Sequence, residues 1–299
     1  MVALTCRRPS ASLLSEAFPA PPSGEQAARL WHDLAEVIKR PGLTARGIAP
    51  CTGLALWEEG PVEVFATPPG ALDPAQPLEA QMPAGEREDE LRRLIDDSRE
   101  VLADHPVNRE RLAAGQPALD ALWPWGFGRA PELGLFVLRV GQVVTLFSGS
   151  PAVRGVARAA GVNLGHRDSA GPPQPGERMH CITSALDHAP TVLAQLTDLD
   201  IAAHTGDPER KRDALRKLEK DLFAPLAALL ERDRSLALTV VCDYATLVAT
   251  RRHANRPVPY LAWRPDRTVS GPSRFTEDDA ADTGRLREGP ADLRGLLWG

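Results

Sequence analysis

With 299 residues, 43% hydrophobic and 25% charged, the chain can bury a large core and is long enough for two domains. A net charge of −5 without a basic run argues against nucleic acid or an anionic membrane surface as partner. No apolar stretch reaches the roughly 18 residues that a membrane span needs.

The N-terminal Met1-Val-Ala-Leu-Thr-Cys-Arg-Arg lacks the apolar centre of a secretory signal. The four cysteines, Cys6, Cys51, Cys181 and Cys242, show no Cys-x-x-Cys spacing. Free thiols in the cytoplasm are expected.

In chain order, Val2–Cys6 reads as a strand. Ala27, Leu30, Trp31, Leu34, Val37 and Ile38 recur at helical spacing over Gly24–Arg40. Leu54–Trp57 and Val62–Ala66 read as a hairpin turned through Glu58-Glu59-Gly60. Glu86–Leu102 is an amphipathic helix that stops near His105-Pro106, because the residue before proline disfavours helix. Asn108–Ala114 adds a helical turn or two. This block, residues 1–117, reads as a small α+β domain.

From 118 to 299 the texture changes. An aromatic strand-to-loop passage, Asp120–Gly128, precedes a strand at Val143–Phe147 and a helix at Pro151–Ala160. Helices are expected at Ala185–Leu196 and Pro208–Arg232, the latter with a charged, solvated face. Leu236–Cys242 reads as a buried strand with Asp243 at its C-terminal end, where ligand sites form in open α/β sheets. Pro259–Trp263 is a further strand. Alternating strands and helices give an α/β fold class, with a mostly parallel sheet covered by helices on both faces.

Chemistry concentrates late in the chain. Asp200-Ile-Ala-Ala-His204 puts a carboxylate and an imidazole on one face of a helical turn. A second histidine from a distant segment would complete a three-ligand N/O set with an open position, suited to Zn²⁺ or Mn²⁺. Ser148, Ser150 and Ser169 have no base placed beside them, so no nucleophile is assigned. Trp123 and Trp125 are expected in the core. His166, His180 and His188 stand isolated and are given no role.

Several segments, in order, resemble the archaeal-type cofactor-independent phosphoglycerate mutases of the alkaline-phosphatase superfamily. They are Thr67-Pro68-Pro69, Ser98 with Leu102-x-x-His105-Pro106-Val107-Asn108-x-x-Arg111, and Trp123-Pro-Trp125-Gly126-Phe127-Gly128. Later come Asp200-x-x-x-His204-x-Gly206-Asp207, Cys242-Asp243-x-Ala-Thr246 and His253…Pro257-Val-Pro259. The resemblance implies an alkaline-phosphatase-like core, two divalent ions (Mn²⁺ or Zn²⁺), and a serine that carries phosphate between the 3- and 2-positions of phosphoglycerate. It makes Asp200, His204, His253 and Asp243 metal ligands, with Asp243 alternatively an orienting or capping residue. It makes His105, Asn108 and Arg111 substrate-binding or domain-interface residues, with an exit-turn and surface pair as the alternative for Asn108 and Arg111.

Departures from the pattern follow the chemistry. Tyr244 stands where the family has histidine, either as a phenolate ligand or as a space-filler. Phe127 replaces a glutamine, and Gly70-Ala71 replaces a His-Asp pair. Ser169–Cys181 contains no lysine where the family supplies one. The Asp-Gly-x-Gly-Asp strand and the nucleophilic serine have no counterpart in this sequence, which could reflect a misassigned start codon. The expected function is therefore a phosphoglycerate-mutase-like metalloprotein with weak or no mutase activity. The alternatives are a metal-dependent phosphatase on another small phosphate ester, or a non-catalytic subunit. A sheet lacking a central strand would leave an edge for a second copy or a partner chain; the expected small-molecule partner is a phosphorylated metabolite.

Overall fold

The structure, a computed structural model, describes residues 2–7, 14–16, 22–69, 72–73, 76–165, 175–267 and 271–298. The departure at Gly70-Ala71, Ser169, His166 and much of the lysine-free segment lie outside these residues. The chain is a mixed α/β protein with helices and a parallel sheet, in two compact units, Met1–Glu132 and Leu133–Gly299. No helix among the described residues is long and apolar enough to cross a membrane.

The first unit is built on an antiparallel sheet of β1 (Val2–Arg7), β2 (Leu14–Glu16), β3 (Leu43–Ala49) and β4 (Thr52–Trp57), in the order β2-β1-β4-β3. The helix α1 (Gly24–Val37) starts at Ser23 in a capping box with Gln26, which satisfies two backbone N–H groups at its head. Its stripe of Ala27, Leu30, Trp31 and Leu34 is buried. Trp31 lies so close to β3 that a Cβ at Gly47 would stand 2.4 Å from the indole, so only glycine fits there.

The hairpin expected from sequence is re-paired. β4 partners β3, and β5 (Val64–Phe65) partners β6 (Ala84–Gly85). The turn at Glu59, φ 53°, runs under the Trp57 side chain, where a Cβ on Gly60 would sit 2.6 Å from Trp57 Cβ. The chain therefore leaves the sheet instead of folding back along β4.

The helix α2 (Glu88–Ala103) buries Leu91, Leu94, Ile95, Ser98 and Leu102. Ser98 Oγ donates to Ile95 O at 2.6 Å and accepts the Leu122 N–H at 2.9 Å. That joins α2 to β7 (Ala121–Pro124), whose four residues are all buried. β7 pairs antiparallel with β1, Val2 opposite Pro124 and Thr5 opposite Ala121. Residues 118–132 therefore belong with the first unit, and the boundary drawn at 117 from the change in composition falls too early. Between α2 and β7 runs α3 (Pro106–Ala113).

Cys51, in the β3–β4 turn, packs against this core. Burial pushes its thiol up to about 11, against an opposing pull from the Arg111 charge. A raised folded-state value favours the folded protein below the unfolded thiol's range and is lost as pH climbs through about 11. Unfolding free energy should fall by about 2–3 kcal/mol from this group between pH 9 and pH 11. Denaturant titrations of Cys51→Ala should show a shallower fall by that amount; parallel curves would contradict it.

The second unit opens with α4 (Phe136–Val140), which the sequence reading passed over. A three-stranded parallel sheet follows, with β8 (Val144–Phe147) between β9 (Asn163–Leu164) and β10 (Thr191–Ala194). The helix α5 (Pro151–Ala159) connects β8 to β9; Ser150 caps it and Gly161, φ 71°, ends it.

The helix expected over Ala185–Leu196 is corrected to α6 (Arg178–Leu186) followed by β10. Pro190 closes off helix, and the β-branched Thr191-Val192 pair extends the chain. The helix α7 (Asp198–His204) leads to α8 (Pro208–Leu218), a π turn at Glu219–Phe223, and α9 (Ala224–Arg232). Pro225 has no N–H to donate, and the widened turn just before it takes up the break.

Among the described residues, β11 (Leu238–Val241) pairs only with β14 (Tyr260–Trp263), and antiparallel. Parallel pairing in the described residues is thus confined to the three-stranded sheet, and Asp243 does not stand at the end of a parallel strand. Between β11 and β14, β12 (Ala245–Leu247) and β13 (Arg252–Ala254) form a hairpin. Two short helices, α10 (Glu277–Asp282) and α11 (Gly289–Trp298), complete the unit.

Candidate metal centre

The helix α7 presents Asp200 and His204 one turn apart, and the β12–β13 hairpin brings His253 to them, in register opposite Thr246. Ligand atoms of Asp200, His204 and His253 all lie within 4.8 Å of one another. Asp200 Oδ1 is 3.3 Å from His204 Nε2 and 3.4 Å from His253 Nε2, and the two Nε2 atoms are 3.2 Å apart.

The second hydrogen bond of each ligand fixes its role. His204 Nδ1 is 2.9 Å from the Arg251 carbonyl, which can only accept, so Nδ1 carries the proton. In the neutral ring Nε2 then holds a lone pair aimed at Asp200 and His253, the arrangement found in metal-ligating histidines. Asp200 Oδ1 accepts from Thr246 Oγ1 at 2.6 Å, and Lys211 Nζ, from α8, holds the Thr246 carbonyl at 2.9 Å. The donor set and this outer layer fit a divalent ion such as Zn²⁺ or Mn²⁺. His253, with 45% of its side chain exposed, leaves one side open to solvent.

Asp243 is not gathered into the ligand group. Its Oδ1 accepts the Tyr244 N–H at 3.0 Å. The Tyr244 ring stacks on His253, with centroids 3.8 Å apart and planes at 28°. Burial, and then the charges of Asp200 and Asp243, raise the Tyr244 phenol above its ordinary value. The Tyr244 ring therefore braces the imidazole of a candidate ligand.

The three residues expected at a substrate site lie in the first unit and are buried there. His105 caps α3, its Nδ1 accepting the Val107 N–H and its Nε2 3.0 Å from Asp33 Oδ2. Asn108 donates to Leu102 O and Leu119 O and accepts from Leu119 N. Arg111 Nε donates to Pro117 O at 3.0 Å. In the second unit, Ser148 accepts from Ser150 N and donates to Gln195, and Ser150 caps α5; neither is hydrogen-bonded to a histidine or a carboxylate among the described residues. Trp123 is fully buried and donates to Thr67 O at 2.9 Å, as a core residue.

Sequence reasoning gave no role to Thr246, Lys211 or Arg251. The alternation of β12 could have exposed Thr246, which shares a register position with His253. Lys211 and Arg251 act through contacts that only the folded chain creates.

Fold and site together define an α/β protein with a candidate divalent-ion centre. No protein-family model matches the chain. In sequence it is similar to cofactor-independent phosphoglycerate mutases. It is 26% identical over 243 residues to a probable 2,3-bisphosphoglycerate-independent phosphoglycerate mutase of Geobacter sulfurreducens, covering 79% of this chain and 60% of that protein. It is 29% identical over 192 residues to the 2,3-bisphosphoglycerate-independent phosphoglycerate mutase of Methanopyrus kandleri, covering 61% of this chain and 44% of that protein. The chain thus spans 60% of the length of the first relative and less of the second. A solved Pyrococcus horikoshii protein shares the fold, with a TM-score of 0.59 and 19% identity over 94% of this chain and 67% of that one.

Proposed function

We propose that the chain is a phosphoglycerate-mutase-like protein of the cytoplasm. It binds one divalent ion, Mn²⁺ or Zn²⁺, at Asp200, His204 and His253, and turns the mutase reaction over weakly or not at all. The convergence of these three side chains, with His204 locked by the Arg251 carbonyl, supports the ion. A divalent ion there would supply charge neutralisation to a phosphoryl group, the main requirement of phosphoryl transfer. The chain's own residues orient the ligands: Thr246 holds Asp200, Arg251 holds His204, and Tyr244 braces His253.

Reduced mutase competence rests on Tyr244 and Asp243. Tyr244, stacked on His253, stands where the resembling mutases have a histidine, and the Asp243 carboxylate is turned to a backbone N–H. Purified protein supplied with Mn²⁺ should not interconvert 2- and 3-phosphoglycerate at ordinary enzyme rates, about 10 s⁻¹. Turnover near that rate would contradict the proposal.

A second reading, a metal-dependent phosphatase on another small phosphate ester, is favoured by the exposed face of His253, which admits water to the ion position. It requires that His253→Ala abolish the hydrolysis.

A further inference from the structure

Two arginines hold the left-handed backbone conformation, Arg87 at φ 55° and Arg251 at φ 57°. Glycine takes that conformation without strain, whereas a long side chain there is uncommon and calls for a reason. Arg87 has one. Its Nε donates to Glu90 Oε2 at 2.7 Å, its Nη1 to Glu59 O at 3.2 Å, and its guanidinium lies 4.4 Å over the Trp57 ring.

Arg251 divides its groups differently. Its backbone is in use: the N–H donates to Leu247 O at 2.8 Å and the carbonyl accepts from His204 Nδ1. Its guanidinium makes no hydrogen bond or ion pair with any described residue. Instead it lies across Gly206, two residues beyond His204. A Cβ added there would stand 2.4 Å from Nε, 3.0 Å from Cζ and 3.1 Å from Nη2. The nearby carboxylate of Asp207 is committed to the head of α8, accepting from Glu209 N and Arg210 N. An exposed cation therefore lies against Gly206, two residues beyond the ligand His204, with no protein anion assigned to it.

We infer that Arg251 recognises the phosphoryl group of the ligand at this site, the ligand class being a phosphate monoester. This deepens the reading of the ion centre and rests on it for the identity of the site. The planar guanidinium offers two parallel N–H donors matched to two phosphoryl oxygens, which the ammonium of lysine cannot reproduce. The hairpin that carries His253 carries Arg251 as well, so one rigid turn sets both.

Arg251→Gly tests this cleanly. Glycine keeps the left-handed turn and the carbonyl for His204, and deletes only the guanidinium. Wild type and Arg251→Gly would be titrated with inorganic phosphate by calorimetry, with and without Mn²⁺, and their Mn²⁺ content measured. The expected result is equal Mn²⁺ content with phosphate affinity lowered at least about tenfold in the variant. Arg251→Lys should fall between the two. Equal phosphate affinity, no phosphate binding by wild type, or loss of Mn²⁺ from the glycine variant would each overturn the inference. The ion-free titration keeps the two readings apart. An arginine-dependent affinity in a wild type that takes up no Mn²⁺ supports the arginine's role and refutes the ion. Mn²⁺ uptake with no arginine dependence refutes the arginine's role alone.

Discussion

Asn108→Ala should destabilise the protein by about 3 kcal/mol, read as a lower denaturant midpoint at unchanged slope. Asn108 is 1% exposed and satisfies three backbone groups from two segments. Its Nδ2 lies 2.7 Å from Leu102 O and 2.7 Å from Leu119 O, and its Oδ1 2.8 Å from Leu119 N. Leu102 O keeps the His105 N–H at 3.3 Å, but Leu119, itself 1% exposed, would lose both its partners among the described residues. A buried backbone group stripped of its partner costs about 1–3 kcal/mol, and alanine also leaves a void. A loss below about 1 kcal/mol would contradict the account. The side chain ties the end of α2 to the segment before β7, so the variant reads the stability of the first unit and not ligand affinity.

The second large effect is on the ion. His204→Ala should abolish divalent-ion binding while leaving the far-ultraviolet circular dichroism unchanged. His204 supplies the one ring nitrogen whose proton is fixed by a backbone carbonyl, and its Nε2 lies within 3.3 Å of both other ligands. Thr246→Val, which removes only the donor to Asp200, should cost the 10–100-fold typical of losing an orienting partner. The graded pair separates a ligand from a residue that acts through one. Wild-type ion content in His204→Ala would contradict the assignment.

Much of the site was legible because its spacing is local. Asp200 and His204 are a helical turn apart, and that periodicity survives any packing. His253 was placed with them through an ordered resemblance and not by local pattern, and the hairpin brings the three side chains together. Asp243 was misplaced with respect to the sheet for a tertiary reason: the apolar run Leu238–Val241 fits a buried parallel strand or a half-buried antiparallel one equally well, and β14 makes it the second. The orienting contacts of Lys211 and Arg251 span 35 and 47 residues and leave no local trace.

The helices were read well where capping and periodicity agreed, as in α1 with its Ser23–Gln26 box. Errors fell where strands compete for partners. β3, interrupted by Gly47, shows no clean alternation, so β4 was given β5 as its mate. The aromatic run at Trp123 was assigned to the later domain by composition, whereas pairing with β1 decides where it sits. Register and partner choice in antiparallel sheets depend on residues far away in the chain, which a single sequence does not display.

The most direct measurement is the number of divalent ions per chain, by elemental mass spectrometry on protein prepared with Mn²⁺ and Zn²⁺ supplied. The account predicts about one ion per chain, since one three-ligand group is present among the described residues. A chain that holds no ion, or that holds two, would contradict it.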